Sequence, residues 1–176
     1  MITLVLGGAR SGKSALAEQL VLASEGRVLY LATGTATDDG MAERIEAHRE
    51  RRSARFDTVE AGAALADALR DAPDRPALVD SLGTWVAGHH DFAIDLAALL
   101  DALRARDQRG AATVIVSDEV GLGVHPETAL GCAFRDALGT ANQAVAAVAA
   151  EVLLVVAGRV LPLSTADSFL ASRAHA

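Results

Sequence analysis

Short apolar runs alternate along the chain with longer stretches in which apolar residues recur at three- and four-residue spacing. The first pattern is that of strands buried on both faces, the second that of amphipathic helices. Strands are expected over 2–6, 27–32, 56–59, 76–80, 112–117 and 151–156, with a last short one over 160–163. Helices are expected over 13–24, 38–52, 61–71, 94–109, 126–150 and 164–174. Strand-helix alternation of this kind predicts an α/β fold, a mostly parallel sheet flanked by helices. Gly110, just after Arg104, Arg106 and Arg109, marks a helix end: glycine takes the left-handed cap easily, and cations suit the carboxyl end of the helix dipole. The connector 71–76 carries Pro73 and Pro76, which resist both helix and central strand, and it joins elements rather than domains.

Composition narrows this picture. A length of 176 residues suits one domain spanning 1–176, with a core that needs no disulfide or metal staple. A net charge of −7 argues against a nucleic-acid binder, which concentrates Lys and Arg into a positive field, but is compatible with a small anionic ligand held by backbone groups. The single cysteine, Cys132, excludes an internal disulfide and a multi-cysteine zinc site, so a reducing cytoplasm is the expected compartment. Cys132 itself is expected to be a small buried filler. The apolar run at 2–6 is too short for a secretory signal, and the run at 144–158 is broken by Glu151 and falls short of the ~18 residues of a membrane span. No membrane span is expected.

Chemistry first enters at the amino terminus. Gly7, Gly8, Ala9, Arg10, Ser11, Gly12, Lys13 and Ser14 form the pattern G-x-x-x-x-G-K-[ST], between an apolar strand and a helix-forming run as that motif requires. Glycines let the backbone fold around phosphate oxygens, so that successive N–H groups point inward. The helix that follows aims its positive dipole end at the same place, Lys13 adds a cation for the β- and γ-phosphates, and Ser14 can ligate Mg²⁺. A second metal ligand is expected in Asp80, at the end of the strand 76–80, where the alternative is a helix cap or turn. Glu119 follows another apolar strand and lies where a parallel sheet gathers its site, open to a role in metal, substrate or turn.

The helix over 38–52 carries a stripe of Met41, Arg44, Ile45, His48, Arg51 and Arg52 at helical spacing. One imidazole among three guanidinium groups suits polyphosphate, since arginine neutralises and binds phosphate oxygens and neighbouring cations favour the neutral, nucleophilic imidazole. On the residues alone a solvated helix face, paired with Glu43, Glu46 and Glu50, is the favoured reading of this stripe.

A family resemblance bears on that choice. The phosphate loop, Tyr30-Leu-Ala-Thr33, the run Met41 to Arg52, Val79-Asp-Ser-Leu82 with Trp85, Glu119-Val-Gly-Leu-Gly123, and Phe134-Arg-Asp-Ala-Leu-Gly139 with Asn142-Gln143 occur in the order and spacing of one family. Together they resemble the bifunctional adenosylcobinamide kinases/adenosylcobinamide-phosphate guanylyltransferases of cobalamin biosynthesis, over about residues 1–163. The resemblance implies a single P-loop NTPase domain of the RecA-like kind. It implies two transferase reactions on a corrinoid: phosphorylation of adenosylcobinamide by a nucleoside triphosphate, GTP or ATP, then transfer of GMP from GTP through a guanylylated histidine to adenosylcobinamide phosphate. By position His48 is that histidine, with Lys13 the other catalytic residue. Nucleotide contacts are implied at Thr33, Gly34 and Thr35, at Arg49, Glu50, Arg51 and Arg52, and at Glu60 and Asp80. A homo-oligomer, a trimer by the same resemblance, is implied as well. The chain departs from the family pattern at Gly40, where an acid is usual, at Asp118 in place of Asn, and at Cys132 in place of Arg.

Other histidines carry less. His89 and His90 are expected in a solvated loop, His125 near a helix start before Pro126, and His175 in a frayed tail; Trp85 is expected in the core or an interface. Two other readings stand beside the bifunctional one: a P-loop kinase or NTPase with no covalent step, and a non-catalytic nucleotide-binding module.

Overall fold

The computed structural model describes residues 1–34 and 53–173. Within them lie strands β1 (Ile2–Gly7), β2 (Val28–Ala32), β3 (Phe56–Glu60), β4 (Ala77–Asp80), β5 (Thr113–Asp118), β6 (Glu151–Val156) and β7 (Arg159–Pro162). The helices are α1 (Lys13–Leu22), α2 (Leu65–Asp71), α3 (Leu82–Ala87), α4 (Leu96–Gln108), α5 (Ala129–Ala146) and α6 (Ala166–Arg173). All seven strands join one sheet in the order β3-β2-β4-β5-β1-β6-β7. Every pairing is parallel except that of β7 with β6. The strand that feeds the phosphate loop is thus separated by β5 from the strand ending in Asp80, a RecA-like P-loop arrangement, as the resemblance implies.

Side-chain alternation along the central strands divides the core in two. Leu4, Leu31, Val79 and Ile115 face α2 to α5, while Val5, Tyr30, Leu78 and Val116 face α1. Strands buried on both faces read as continuous apolar runs, which is why they were legible in the sequence. Burying each such Leu or Ile contributes roughly 1.5–3 kcal/mol.

Several elements differ from expectation. The helix expected over 126–150 is confined to Ala129–Ala146. Pro126 stays outside it, the Thr128 hydroxyl caps it by accepting from Gly131 N at 3.0 Å, and Ala150 N already donates to Ile2 O in the lead to β6. The segment expected as one helix from 61 opens with a 3₁₀ turn at Gly62–Ala64 before α2. Helix α3 was not expected at all. Its start is a reciprocal cap, with the Ser81 hydroxyl accepting from Thr84 N and the Thr84 hydroxyl accepting from Ser81 N. Beyond α3 the solvated loop gives way to a 3₁₀ turn, His90–Phe92, and the His89 ring packs edge-on against Trp85. Trp85 is in the core, 2% exposed, with its indole N–H donating to Ala63 O. Cys132 is half-buried rather than buried, its thiol 3.5 Å from Pro126 O. The expected helix over 38–52 and His175 lie outside the described residues.

Arginines hold the connectors. Arg106, in the last turn of α4 as expected, is fully buried and donates to Pro73 O, Arg75 O and Thr113 Oγ1, and burial draws its pKa down. Gly110 does take the left-handed conformation, at φ 77°. Asp57 of β3 accepts from Arg27 and from Arg75, and these guanidinium groups hold its carboxyl well below the usual carboxylate range. Among the described residues no helix is long and apolar enough to cross a membrane.

Candidate active site

The phosphate loop runs from the end of β1 into α1. Gly7 permits the first bend: a Cβ there would lie 2.5 Å from Ser11 Oγ and 2.7 Å from Val155 O. Gly12 takes φ 97°, a left-handed conformation that glycine adopts without strain, and the helix begins at Lys13. Ser11 N donates to Gly8 O, and Ser11 O accepts from Gly158 N at 2.8 Å, so the turn between β6 and β7 braces the loop from behind. Arg10 is exposed, with φ 57°. Helix α1 then packs over β1, β4 and β5.

Lys13 is turned back toward its own loop. Its ammonium donates to Gly8 O at 3.3 Å and pairs with the Asp118 carboxylate at 2.7 Å. Asp118 ends β5 in register with Gly7, so neighbouring strands bring the two groups together. Asp80 ends β4 one strand further on and accepts from the Tyr30 hydroxyl at 2.5 Å. Asp80, Asp118 and Gly7 fall in phase with the residues that face α1, which puts both carboxylates on the side of the sheet where Lys13 and Ser14 begin that helix.

Thr33 follows β2 and is buried; its hydroxyl lies 2.6 Å from both Ser81 O and the Thr84 hydroxyl, which ties β2 to the start of α3. Gly34 comes directly after it, half-buried. Glu60 ends β3, exposed, opposite Ala32 in the register. These residues and Asp80 therefore share the carboxyl edge of the sheet with the phosphate loop, where open α/β sheets bind ligands. Thr35, His48, Arg49, Glu50, Arg51 and Arg52 lie outside the described residues.

Two cavities share Glu119 as a wall. One, about 580 Å³, is bounded by the phosphate loop, Leu122 and the end of β6. The other, about 610 Å³, is lined by Asn142, Gln143, Val152, Leu163 and Thr165 among others. Glu119 Oε1 accepts from Gly121 N at 2.7 Å, so this carboxylate shapes the turn between the cavities. Asn142 is buried and accepts from the Ser117 hydroxyl while donating to Asp118 O, which clamps the end of β5. Three contributors escaped the reading of the residues as chemistry: Tyr30 on Asp80, Asp118 on Lys13, and Asn142. The signal available for Asp118 was its position at the end of an apolar strand, the same signal that singled out Asp80.

Strand, glycine loop, lysine-led helix and two acidic strand ends together define a P-loop nucleotide-dependent enzyme. The comparisons with known proteins go further. The family described as cobinamide kinase / cobinamide phosphate guanyltransferase matches residues 3–163, and the chain belongs to it. It is 42% identical over 134 residues to the bifunctional adenosylcobalamin biosynthesis protein CobP of Pseudomonas aeruginosa, covering 72% of this chain and 76% of that one. The corresponding protein CobU of Escherichia coli is 39% identical over 153 residues, with 77% and 84% covered. Among solved structures, the flagellar accessory protein FlaH from Methanocaldococcus jannaschii is similar with a TM-score of 0.49 and 13% identity, over 90% of this chain and 74% of that one.

Proposed function

We propose that this chain acts as both an adenosylcobinamide kinase and an adenosylcobinamide-phosphate guanylyltransferase. Membership of the family over residues 3–163, with the Lys13 loop intact, is the observation that carries the reading. In the first reaction the corrinoid hydroxyl oxygen attacks the γ-phosphorus of ATP or GTP. The bond to the β-phosphate oxygen breaks and the nucleoside diphosphate leaves. The loop N–H groups and Lys13 stabilise the charge that spreads over the transferring phosphoryl oxygens.

In the second reaction a nitrogen of His48 attacks the α-phosphorus of GTP and pyrophosphate leaves. An oxygen of adenosylcobinamide phosphate then attacks the same phosphorus, breaking the P–N bond, freeing the imidazole and forming adenosyl-GDP-cobinamide. Lys13 and the arginines flanking His48 neutralise the departing pyrophosphate. Thr33, Gly34, Thr35 and Glu60 complete the nucleotide contacts in this reading, and residues 1–176 act as one catalytic domain.

Ser14 and Asp80 offer a hydroxyl and a single carboxylate at the sheet edge. That donor set fits Mg²⁺, which is bound through one or two carboxylates and the substrate's own phosphates rather than by an all-protein cage. Bound there, Mg²⁺ supplies charge neutralisation to the phosphate oxygens. A cytoplasmic site of action suits the lone free cysteine. A homo-oligomer, a trimer in this reading, suits the exposed Val160, Leu161, Leu163, Phe169 and Leu170 on β7, α6 and the link between them.

Intact-mass measurement after incubation with Mg²⁺ and GTP tests the covalent step. The expected result is one added GMP per chain, absent in His48→Ala, which still binds nucleotide. Undiminished labelling of His48→Ala rejects His48 as the nucleophile. Turnover of nucleotide and corrinoid with no adduct leaves a simple kinase, and no corrinoid product at all leaves a binding module.

A further inference from the structure

The phosphate-loop lysine has an anionic neighbour within the protein. Lys13 Nζ lies 2.7 Å from Asp118 Oδ1, with the lysine side chain 13% and the aspartate side chain 36% exposed, so water screens the pair only in part. A triphosphate draws on that same ammonium. One cation then stands between two anions, the phosphates and a carboxylate one hydrogen-bond length away, and it cannot neutralise both.

Asp118 is also held where it is. Its backbone pairs in register with Gly7, and its carbonyl accepts from Asn142 Nδ2 at 3.1 Å. Gly83 leaves the carboxylate its place: a Cβ on that residue would lie 2.5 Å from Asp118 Oδ2. Strand, clamp and missing side chain together fix a negative charge beside the phosphate loop.

We infer that Asp118 is a positioning residue that makes tight nucleotide binding depend on a divalent cation. By competing for Lys13 and by its own charge it weakens the grip on a bare triphosphate. Mg²⁺ restores the balance, because a metal-bound triphosphate carries less net charge to set against the carboxylate. The inference rests on the nucleotide-binding part of the proposed function and not on the histidine step.

Equilibrium titration of the full-length protein with GTP, in excess EDTA and again in Mg²⁺, tests it. Asp118→Asn keeps the shape and removes the charge. It is expected to tighten metal-free binding about tenfold, and to shrink the gain from Mg²⁺ by the same factor. Asp118→Glu keeps the charge and is expected to bind metal-free GTP as weakly as the wild type. If the Asn variant does not fold, Asp118→Ser serves in its place. Equal metal-free affinity of the neutral variant and the wild type overturns the inference, as does a Glu variant that gains like the Asn variant. A wild type that does not bind GTP even in Mg²⁺ removes the nucleotide reading itself, whereas normal Mg²⁺-dependent binding with an unresponsive Asn variant removes only the role of Asp118.

Discussion

The middle of the sheet and its β6–β7 edge are built to different rules. In the middle, Leu4, Val5, Leu31 and Val116 are wholly buried and every strand has a partner on both sides. At the edge, Val160 is 45% exposed and Leu161 57%, and β7 pairs on one side only. The contrast follows from what each region must do. Backbone N–H groups can be aimed at phosphates only if the strand that ends in them is fixed from both sides, whereas apolar surface left uncovered at an edge suits contact with another surface.

Four substitutions test how far this division goes. The largest effect is expected from Lys13→Ala, which should lower kcat/KM for phosphoryl transfer about a thousandfold, measured as nucleoside diphosphate formed with corrinoid as acceptor. A loss of less than about tenfold would mean that the loop positions phosphate without its lysine. Next comes a matched pair: Leu4→Ala should cost about 3 kcal/mol in denaturant unfolding, and Leu161→Ala less than ~0.5 kcal/mol when measured on the monomer. Similar costs would erase the distinction between centre and edge.

The smallest effect belongs to Asp57 at the opposite edge. Its carboxyl is held below the usual range by Arg27 and Arg75. A depressed carboxylate stabilises the fold fully above its ordinary pKa of about 4, and that contribution is lost as the pH falls toward the lower folded value. Asp57→Asn should therefore lower the thermal midpoint at pH 7, with the gap from the wild type closing under acid conditions. A gap that widens on acidification would contradict the assignment.

Where local pattern decides structure, the sequence was readable. Val28 to Ala32 and Glu151 to Val156 are apolar runs between breakers, and they form strands over nearly the expected lengths. The phosphate loop was legible because its glycines, lysine and serine act through neighbours in the chain. Helix α3 was missed because six residues containing Gly83 and Thr84 show no helical period, and its one signal was the cap pair Ser81 and Thr84. Arg106 was placed in the last turn of its helix, but its burial was not legible because a helix-terminal arginine has no local mark of burial. Its partners, Pro73 and Arg75, come from a distant connector. Asp118 illustrates the same limit within the site: its partnership with Lys13 depends on β5 lying beside β1, and strand order is not written in either segment. The stripe around His48 was read from helical spacing and family likeness, and its residues lie outside those described.

The turn joining β6 to β7 faces two ways. Gly158 donates its N–H to Ser11 O, and its Cα stands 3.6 Å from where a side chain on Gly12 would begin, while the strands it joins carry the exposed Val156 and Val160. The outside of that hairpin is therefore one hydrogen bond removed from the ligand-gripping loop. A neighbouring subunit or an antibody seated on it would register as a change in how fast nucleotide comes and goes.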